Sequence, residues 1–405
     1  DLIVGAANAK PYGRTQAGLT YVLYGTPPPP TAAPTVTVTL APTTSALPGH
    51  FYLGGAVGDN AGRAVGSAGD MNGDGIDDFT ISANYADFNS VVDCGMVYVV
   101  FGKTGSFFGD VDLLDFVSSN NVGFRVIGHL ESLRLGKATA PAGDVNGDGY
   151  DDLVIGTNPI APDTNGMAFV VFGHSAAILN FDDILVSDQF YGFTVYGALT
   201  GDLLGLFVSG AGDVNGDGYS DVMLAAVTAT ALNRVGAGKV YVLYGHSNTT
   251  VFSDLHMSTF VTNNSIGFVV NGAYENDNAG RGVSSGGDIN GDGLSDIVVG
   301  VPFFDRSTVS TDSGAVFVIF GRPDVTDVDL RLFNVTTPLG FRLLGEPTVN
   351  AYTGFSVSSA GDFNHDGYGD IIIGARQASG AGRVTAGTAY IFYGHSFSTP
   401  FLGQF

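Results

Sequence analysis

The chain of 405 residues has one cysteine, no tryptophan, three glutamates, and no apolar run long enough to cross a membrane as a helix. Cys94 alone rules out an internal disulfide framework and a thiolate metal cluster, and it reads as a small semi-buried apolar residue in a strand-like stretch. Cations are scarce: 16 Lys and Arg stand against 39 Asp and Glu, a formal charge of −23. That balance argues against nucleic acid, whose phosphates are held by Lys and Arg. Since Glu131, Glu275 and Glu346 are the only glutamates, nearly all of the acid is aspartate. Aspartate makes turns and is a hard oxygen ligand, so the skew points to loops that hold cations. Sixty glycines with 44% hydrophobic residues fit a turn-dense, strand-rich fold and argue against disorder. The opening Asp1–Gly5 has no Met, basic segment or cleavage site, and reads as sequence from which any signal peptide has gone.

What is abundant is repetition. The pattern D-x-N-x-D-G-x-x-D begins at Asp70, Asp144, Asp213, Asp288 and Asp362, at spacings of 74, 69, 75 and 74 residues. Eight residues before each loop stands a glycine (Gly62, Gly136, Gly205, Gly280, Gly354), and the small-residue segment between them reads as a strand, A. The last Asp of each loop opens an unbroken apolar run such as Asp152-Leu-Val-Ile-Gly, strand B, whose two faces should both be buried. Strand C follows as six copies of G-x-x-[YF]-[VI]-x-[FY]-G, from Gly18–Gly25 to Gly387–Gly394. Strand D follows as Gly123–Gly128, Gly192–Gly197 and Gly340–Gly345.

Four short strands per unit of about 74 residues, with no helical period between them, predict an all-β chain of antiparallel four-stranded meanders repeated radially, a β-propeller. A solenoid β-helix has far shorter coils. These motifs resemble the FG-GAP repeats of the integrin alpha-subunit propeller, over nearly the whole chain from Asp1 to about Gly394. The chain departs from that pattern in having no inserted von Willebrand-type domain, no leg domain, no disulfide and no tryptophan. We expect one propeller domain over 1–405. Its blade parts are 1–54, then repeats at about 55–128, 129–197, 198–272, 273–345 and 346–405, with a Pro/Thr-rich connection at 26–48. Five blades are complete and one is split, because Asp1–Gly5 aligns with strand B and the chain stops short of a last strand D. A seventh blade would need sequence outside this chain. An edge left open at the split blade predicts a covering segment, a partner, or self-assembly by strand donation.

Positions 1, 3, 5 and 9 of each loop are oxygen donors, and a backbone carbonyl at position 7 can complete a shell. The expected ligand sets are Asp70, Asn72, Asp74, Ile76 and Asp78; Asp144, Asn146, Asp148, Tyr150 and Asp152; Asp213, Asn215, Asp217, Tyr219 and Asp221; Asp288, Asn290, Asp292, Leu294 and Asp296; and Asp362, Asn364, Asp366, Tyr368 and Asp370. Hard oxygens carrying three negative charges per loop suit Ca²⁺, about five ions in all. Position 12, acidic in an EF-hand, is here Ile81, Ile155, Leu224, Val299 or Ile373, so the loop closes a hairpin. Asx-rich turns without metal would leave three converging carboxylates with nothing to neutralise them. His365 at position 4 of the last loop reads as tolerated variation.

No H-E-x-x-H, G-x-S-x-G, P-loop or dinucleotide fingerprint occurs, and five equivalent loops suit structural rather than catalytic ions. His174, His246 and His395 share the Gly-His-Ser turn after strand C and mark architecture. Topology puts the loops on one face and the B–C and D–A connections on the other. There Tyr85, Phe88, Phe303, Phe304, Arg306, Tyr352 and Arg376 are candidates for a protein or glycan site. Arg63, Lys137 and Arg281 follow the glycine that opens strand A, near the same rim. Sequons at Asn248, Asn263 and Asn334 lie in C–D connections and are glycosylation candidates. The reading is an extracellular, calcium-stabilised adhesion or assembly module without catalysis of its own. Its alternatives are a lectin and a propeller attached to a hydrolase, similar to the one beside the catalytic domain of glycosylphosphatidylinositol-specific phospholipase D.

Overall fold

The computed structural model describes residues 2–23, 49–104, 110–116, 122–158, 165–175, 183–247, 252–263, 265–324, 326–333, 339–379 and 383–396. The Pro/Thr-rich connection at 26–48 and the sequon positions Asn248 and Asn334 lie outside them.

The described residues form six sheets in which consecutive strands pair antiparallel, as a β-propeller requires. The second sheet shows the plan: Val65–Gly69, Asp78–Ala83, Met96–Val100 and Gly123–Ile127 are strands A to D. The third (Ala138–Gly143 to Gly192–Tyr196), fourth (Leu204–Gly212 to Gly267–Asn271) and fifth (Gly282–Gly287 to Gly340–Leu344) repeat it. The first sheet holds Leu2–Ala6, Leu19–Leu23 and Gly49–Leu53 in the B, C and D places. The last holds Thr353–Gly361, Asp370–Ala375 and Thr388–Phe392 in the A, B and C places.

In the second to fifth sheets strands B and C are buried on both faces, and their alternation sorts side chains between two cores; strand B of the first sheet and strand C of the last are partly exposed. From strand C of the second sheet, Val97 and Val99 pack with Leu153, Ile155 and Phe169 of the third. Met96, Tyr98 and Val100 of the same strand pack with Val22 and Tyr52 of the first. Three further cores likewise join two consecutive sheets, so the blades stack face to face in chain order. Inner strand A, rich in Gly, Ser and Ala, is only partly buried. Just before each loop the A–B register shifts by one residue, at Gly69, Gly143, Gly212, Gly287 and Gly361, whose φ lies between +64° and +72°. That left-handed bulge turns the chain into the loop.

One feature departs from the expected four-stranded blade. The C–D connection of one repeat sends a short strand back to pair parallel with strand D of the preceding sheet: Val111–Asp112 on Tyr52–Leu53, Asp183–Leu185 on Arg125–Ile127, Leu255–His256 on Val195–Tyr196, and Val328–Asp329 on Val270–Asn271. In three of these a 3-10 turn follows, and Phe116, Phe260 and Phe333 then pack edge-on against Tyr98, Tyr241 and Phe317 of their own blade, at 5.2, 5.5 and 5.6 Å. Cys94 is fully buried just ahead of strand C, with its Sγ donating to the Ala86 carbonyl oxygen at 3.4 Å.

Candidate functional site

The first aspartate of each loop is its hub. Asp70 accepts the backbone N–H groups of Gly73, Asp74 and Gly75 at 2.8, 3.0 and 2.8 Å. Asp144, Asp213 and Asp288 do the same at equivalent positions, and Asp362 accepts from Asp366 and Gly367. Position 5 accepts the N–H of position 7, from Ile76, Tyr150, Tyr219, Leu294 and Tyr368 at 2.9–3.1 Å. Asn146, Asn215, Asn290 and Asn364 accept the N–H of position 5. The ninth residue is a clamp. Asp78, Asp152, Asp221, Asp296 and Asp370 are at most 1% exposed. One oxygen of each takes the N–H of position 2, at 2.8–3.1 Å. The other takes the N–H of the glycine that closes strand C (Gly102, Gly173, Gly245, Gly321, Gly394), at 2.8–3.0 Å. At that closing glycine an added Cβ would stand 2.3–2.6 Å from the nearest atom, which is why no larger residue fits.

Two further features mark the loops. Among the described residues no group of three or more Asp, Glu, His or Cys side chains is arranged to hold an ion; the loop carboxylates accept N–H groups of the turn, of the Asn amides and of the end of strand C. Position 4 is also a left-handed site: glycine has φ of +71° to +80° there, and His365 takes +60°, a region His visits more readily than most residues.

The donor set nevertheless fits a hard cation. Among the described residues no Lys or Arg pairs with any loop carboxylate. Burial pushes the carboxyl groups of Asp78 and Asp296 up to about 7 and that of Asp221 up to about 8, with the charges at positions 5 and 1 adding to the shift. Asp152 rises well above the usual carboxylate range for the same reasons. In the first loop the Asn72 Oδ1 is buried without a hydrogen-bond partner. Buried oxygens short of positive charge are what a divalent ion satisfies.

Residues 136–167, 206–243, 279–319 and 353–392 match the family model of the FG-GAP repeat. The chain carries FG-GAP repeats. The matched segments run from strand A through strand C of three sheets and from strand A to the first residue of strand C, Met167, in the third sheet, and 62–100 has the same arrangement in a fifth. Among curated proteins the chain is 28% identical over 183 residues to integrin alpha-PS5 of Drosophila melanogaster, covering 45% of this chain and 16% of that protein. It is 30% identical over 179 residues to integrin alpha-4 of Xenopus laevis, covering 44% and 15%. It is 29% identical over 195 residues to phosphatidylinositol-glycan-specific phospholipase D of Bos taurus, covering 46% and 20%. The chain therefore spans a fifth or less of the length of these relatives. Its propeller is built of integrin-like FG-GAP repeats.

Neighbouring FG-GAP loops are chained together. Position 8 of one loop donates its N–H to the position 1 carbonyl oxygen of the loop before: Asp151 to Asp70, Ser220 to Asp144, Ser295 to Asp213 and Gly369 to Asp288, at 2.8–3.2 Å. The residue after strand C does likewise to position 2, with His174, His246, Arg322 and His395 donating to Met71, Val145, Val214 and Ile289 at 2.7–3.0 Å. The shared histidines are thus architectural. Gly73, Gly147 and Gly291 lie under the rings of Tyr150, Tyr219 and Tyr368 of the following loop, where an added Cβ would stand 2.4–2.5 Å from the ring. Ile76 and Asp77 instead border a cavity of about 540 Å³, together with Leu2, Ile3, Val22 and Phe79, between the first and second sheets.

On the opposite face the expected residues divide. Phe304 is a correction: it is 4% exposed and packs on Tyr274 and Phe317, at 5.8 and 6.0 Å, because its apolar ring joins the core between the fourth and fifth sheets. Arg306 donates to the Gly345 carbonyl oxygen at 2.8 Å and ties its turn to the end of strand D. Tyr85 and Phe88 lie under Arg134 and Arg125. Phe303 and Tyr352 are half-buried, edge-on at 5.5 Å, and Arg376 is exposed. Sequence reasoning missed the buried Asp59, Asp202 and Asp277, three residues before the strand-A glycine, which accept the N–H groups of Ala56, Leu199 and Tyr274 at 2.8–3.1 Å. The signal was an Asp at one fixed offset in three of five repeats. Asn263 uses its amide locally, accepting from Ser265 N–H and donating to the Val261 carbonyl oxygen, both at 2.9 Å.

Proposed function

We propose that this FG-GAP propeller is an extracellular, calcium-stabilised module without catalysis of its own. It serves adhesion, binding or assembly through a protein or glycan ligand on the face opposite the loops. The observation that carries the reading is the fivefold loop, in which Asp, Asn and Asp oxygens and a buried Asp clamp recur with no cationic partner among the described residues. Five ions, held by positions 1, 3, 5, 7 and 9, would neutralise carboxylates that burial and mutual repulsion otherwise disfavour. A site repeated without variation suits a structural ion; a unique reaction centre needs one blade to differ. The integrin relatives support the surface role, and among the described residues no helix is long and apolar enough to cross a membrane. The test is metal analysis of the intact protein after gel filtration in calcium buffer, where about five equivalents are expected. Fewer than one would overturn the reading.

Attachment to a hydrolase is a second reading, supported by the bovine phospholipase relative. The cavity beside Ile76 and Asp77 supports a further element of the proposal. An additional strand and loop of the same pattern, from a longer polypeptide or a second copy, would supply the carbonyl acceptors that the other four loops find in their neighbours.

A further inference from the structure

The residue that follows the glycine opening each inner strand is Arg63, Lys137, Leu206, Arg281 or Phe355. These side chains converge. Burial lowers the affinity of the Lys137 ammonium for its proton, and the charges of Arg63 and of Arg281, two sheets away, lower it further. The Arg281 guanidinium stands 5.1 Å from the ring centre of Phe207 and 4.3 Å from that of Phe355, from the sheets on either side. Arg376 stands 3.9 Å from the same Phe355 ring and 4.8 Å from that of Tyr352, which in turn meets Phe303. Aromatic rings and guanidinium groups alternate from Phe207 to Tyr352.

The cations of this cluster are unlike the five that form ion pairs. Arg14, Arg125, Arg134, Arg234 and Arg322 each face an aspartate at 2.5–3.8 Å. In a chain with 39 acids and only 16 cations, Arg63, Lys137, Arg281 and Arg376 face no carboxylate among the described residues. The Arg281 Nε is buried without a hydrogen-bond partner. Gathering scarce positive charges without a counter-ion opposes folding, and an anion lying between them would reverse the sign of that interaction. Guanidinium edges match the planar, two-oxygen geometry of a carboxylate, while ring faces accept the apolar neighbours of an acidic residue. A long sulfated glycan needs an extended row of cations, whereas a single carboxylate needs only this cluster.

We propose that the strand-opening cluster is a binding site for a side-chain carboxylate of an acidic peptide segment in a partner protein. Arg281, Arg376 and Lys137 hold the carboxylate, and Phe207, Phe355 and Tyr352 wall the site. The proposal rests on the reading of this face as the binding face and names the chemistry it selects.

The probe is a set of capped peptides of roughly a dozen residues, each with a central Asp flanked by varied apolar residues, against the same set with Asn. In calcium buffer at low salt the Asp peptides should bind at least about tenfold more tightly, and Arg281→Gln or Arg376→Gln should abolish the difference. Lys137→Gln should also raise the melting temperature of the free protein, by about 2 °C, since it removes repulsion. Equal binding of Asp and Asn peptides at about 1 mM, or a lowered melting temperature for Lys137→Gln, would overturn the site. So would tighter binding of a heparin oligosaccharide that the same variants abolish, which would assign the cluster to glycans. Calcium content measured alongside separates the readings: peptide indifference with five bound ions sinks this site alone, whereas missing ions sink the calcium proposal.

Discussion

On the loop face, the fifteen aspartates at positions 1, 5 and 9 of five loops sit without a cationic partner among the described residues. On the opposite face and the outer rim, Arg14, Arg125, Arg134 and Arg234 each hold an aspartate at 2.5–2.9 Å. One residue type therefore does two jobs. At the rim, aspartate is neutralised from within the chain, so the local structure depends on no solute. In the loops it is held by neutral donors, backbone N–H groups and the Asn amides, and its charge must be met from outside or endured. Charge balance, more than packing, separates the two faces, because the cores between sheets run continuously from one to the other.

The strongest way to break the comparison is to withhold the solute. If each loop binds calcium at about a hundred times its dissociation constant, each contributes about 2.7 kcal/mol, and five together exceed about 10 kcal/mol. Calorimetry in excess chelator should show a melting temperature lower by far more than any single substitution achieves. An unchanged transition would mean that the hydrogen-bonded loops suffice and that the faces differ only in appearance.

Next in size is the clamp. Asp221→Ala strands the buried N–H groups of Val214 and Gly245, a loss of about 2–5 kcal/mol. Asp202→Ala on the other face strands only that of Leu199, about 1–2 kcal/mol. Denaturant titration of the pair measures the gap; equal losses would show that the loop clamp does nothing the other does not.

Much of this was open to a reader of the sequence, and what escaped had a common cause. Loops, strands B and C, and the period were legible because each is a local pattern repeated five or six times, so that register and burial follow from a few residues. The parallel outer strands were not, since Val111–Asp112 and Val328–Asp329 are two residues long and carry no period; they exist only because an edge of the preceding sheet lies beside them. Phe304 and Phe303 are adjacent aromatics in one turn, and only packing against Phe317 decides which is core. Ligand chemistry at the loops was readable from donor types, whereas the Arg281 and Arg376 ladder joins side chains from three repeats, a pairing that spacing along the chain does not encode.

A smaller effect sharpens the contrast through pH. Burial, then the charges of Asp305 and Asp312, pushes the Asp277 carboxyl up to about 7. A raised carboxyl binds its proton more tightly folded than unfolded, so its contribution is full below about pH 4 and is lost as pH climbs through 7. Asp277→Asn keeps the acceptor for Tyr274 N–H and removes the titration. The variant should gain on the order of 1–3 kcal/mol over the parent at pH 8 and match it near pH 4. Parallel pH–stability curves would remove Asp277 as the source.

The smallest effect tests whether the self-neutralised rim binds one repeat to the next. Arg14 and Arg234 occupy the same place in their B–C connections, and each reaches forward to the aspartate that caps the outer strand of the next repeat, Asp112 or Asp329. Arg234 is 11% exposed and Asp329 20%, so solvent screens the pair only in part. Asp329 also accepts the Arg331 N–H, and that capping bond survives when the guanidinium is removed. A double-mutant cycle with Arg234→Ala and Asp329→Ala subtracts the capping bond and leaves the ion pair, for which we expect a coupling of about 1 kcal/mol. The coupling should fall in high salt and stay the same in chelator, because nothing in the pair involves the loops. If chelation erased it as well, the rim would depend on the same solute as the loops, and the two faces would form one cooperative unit.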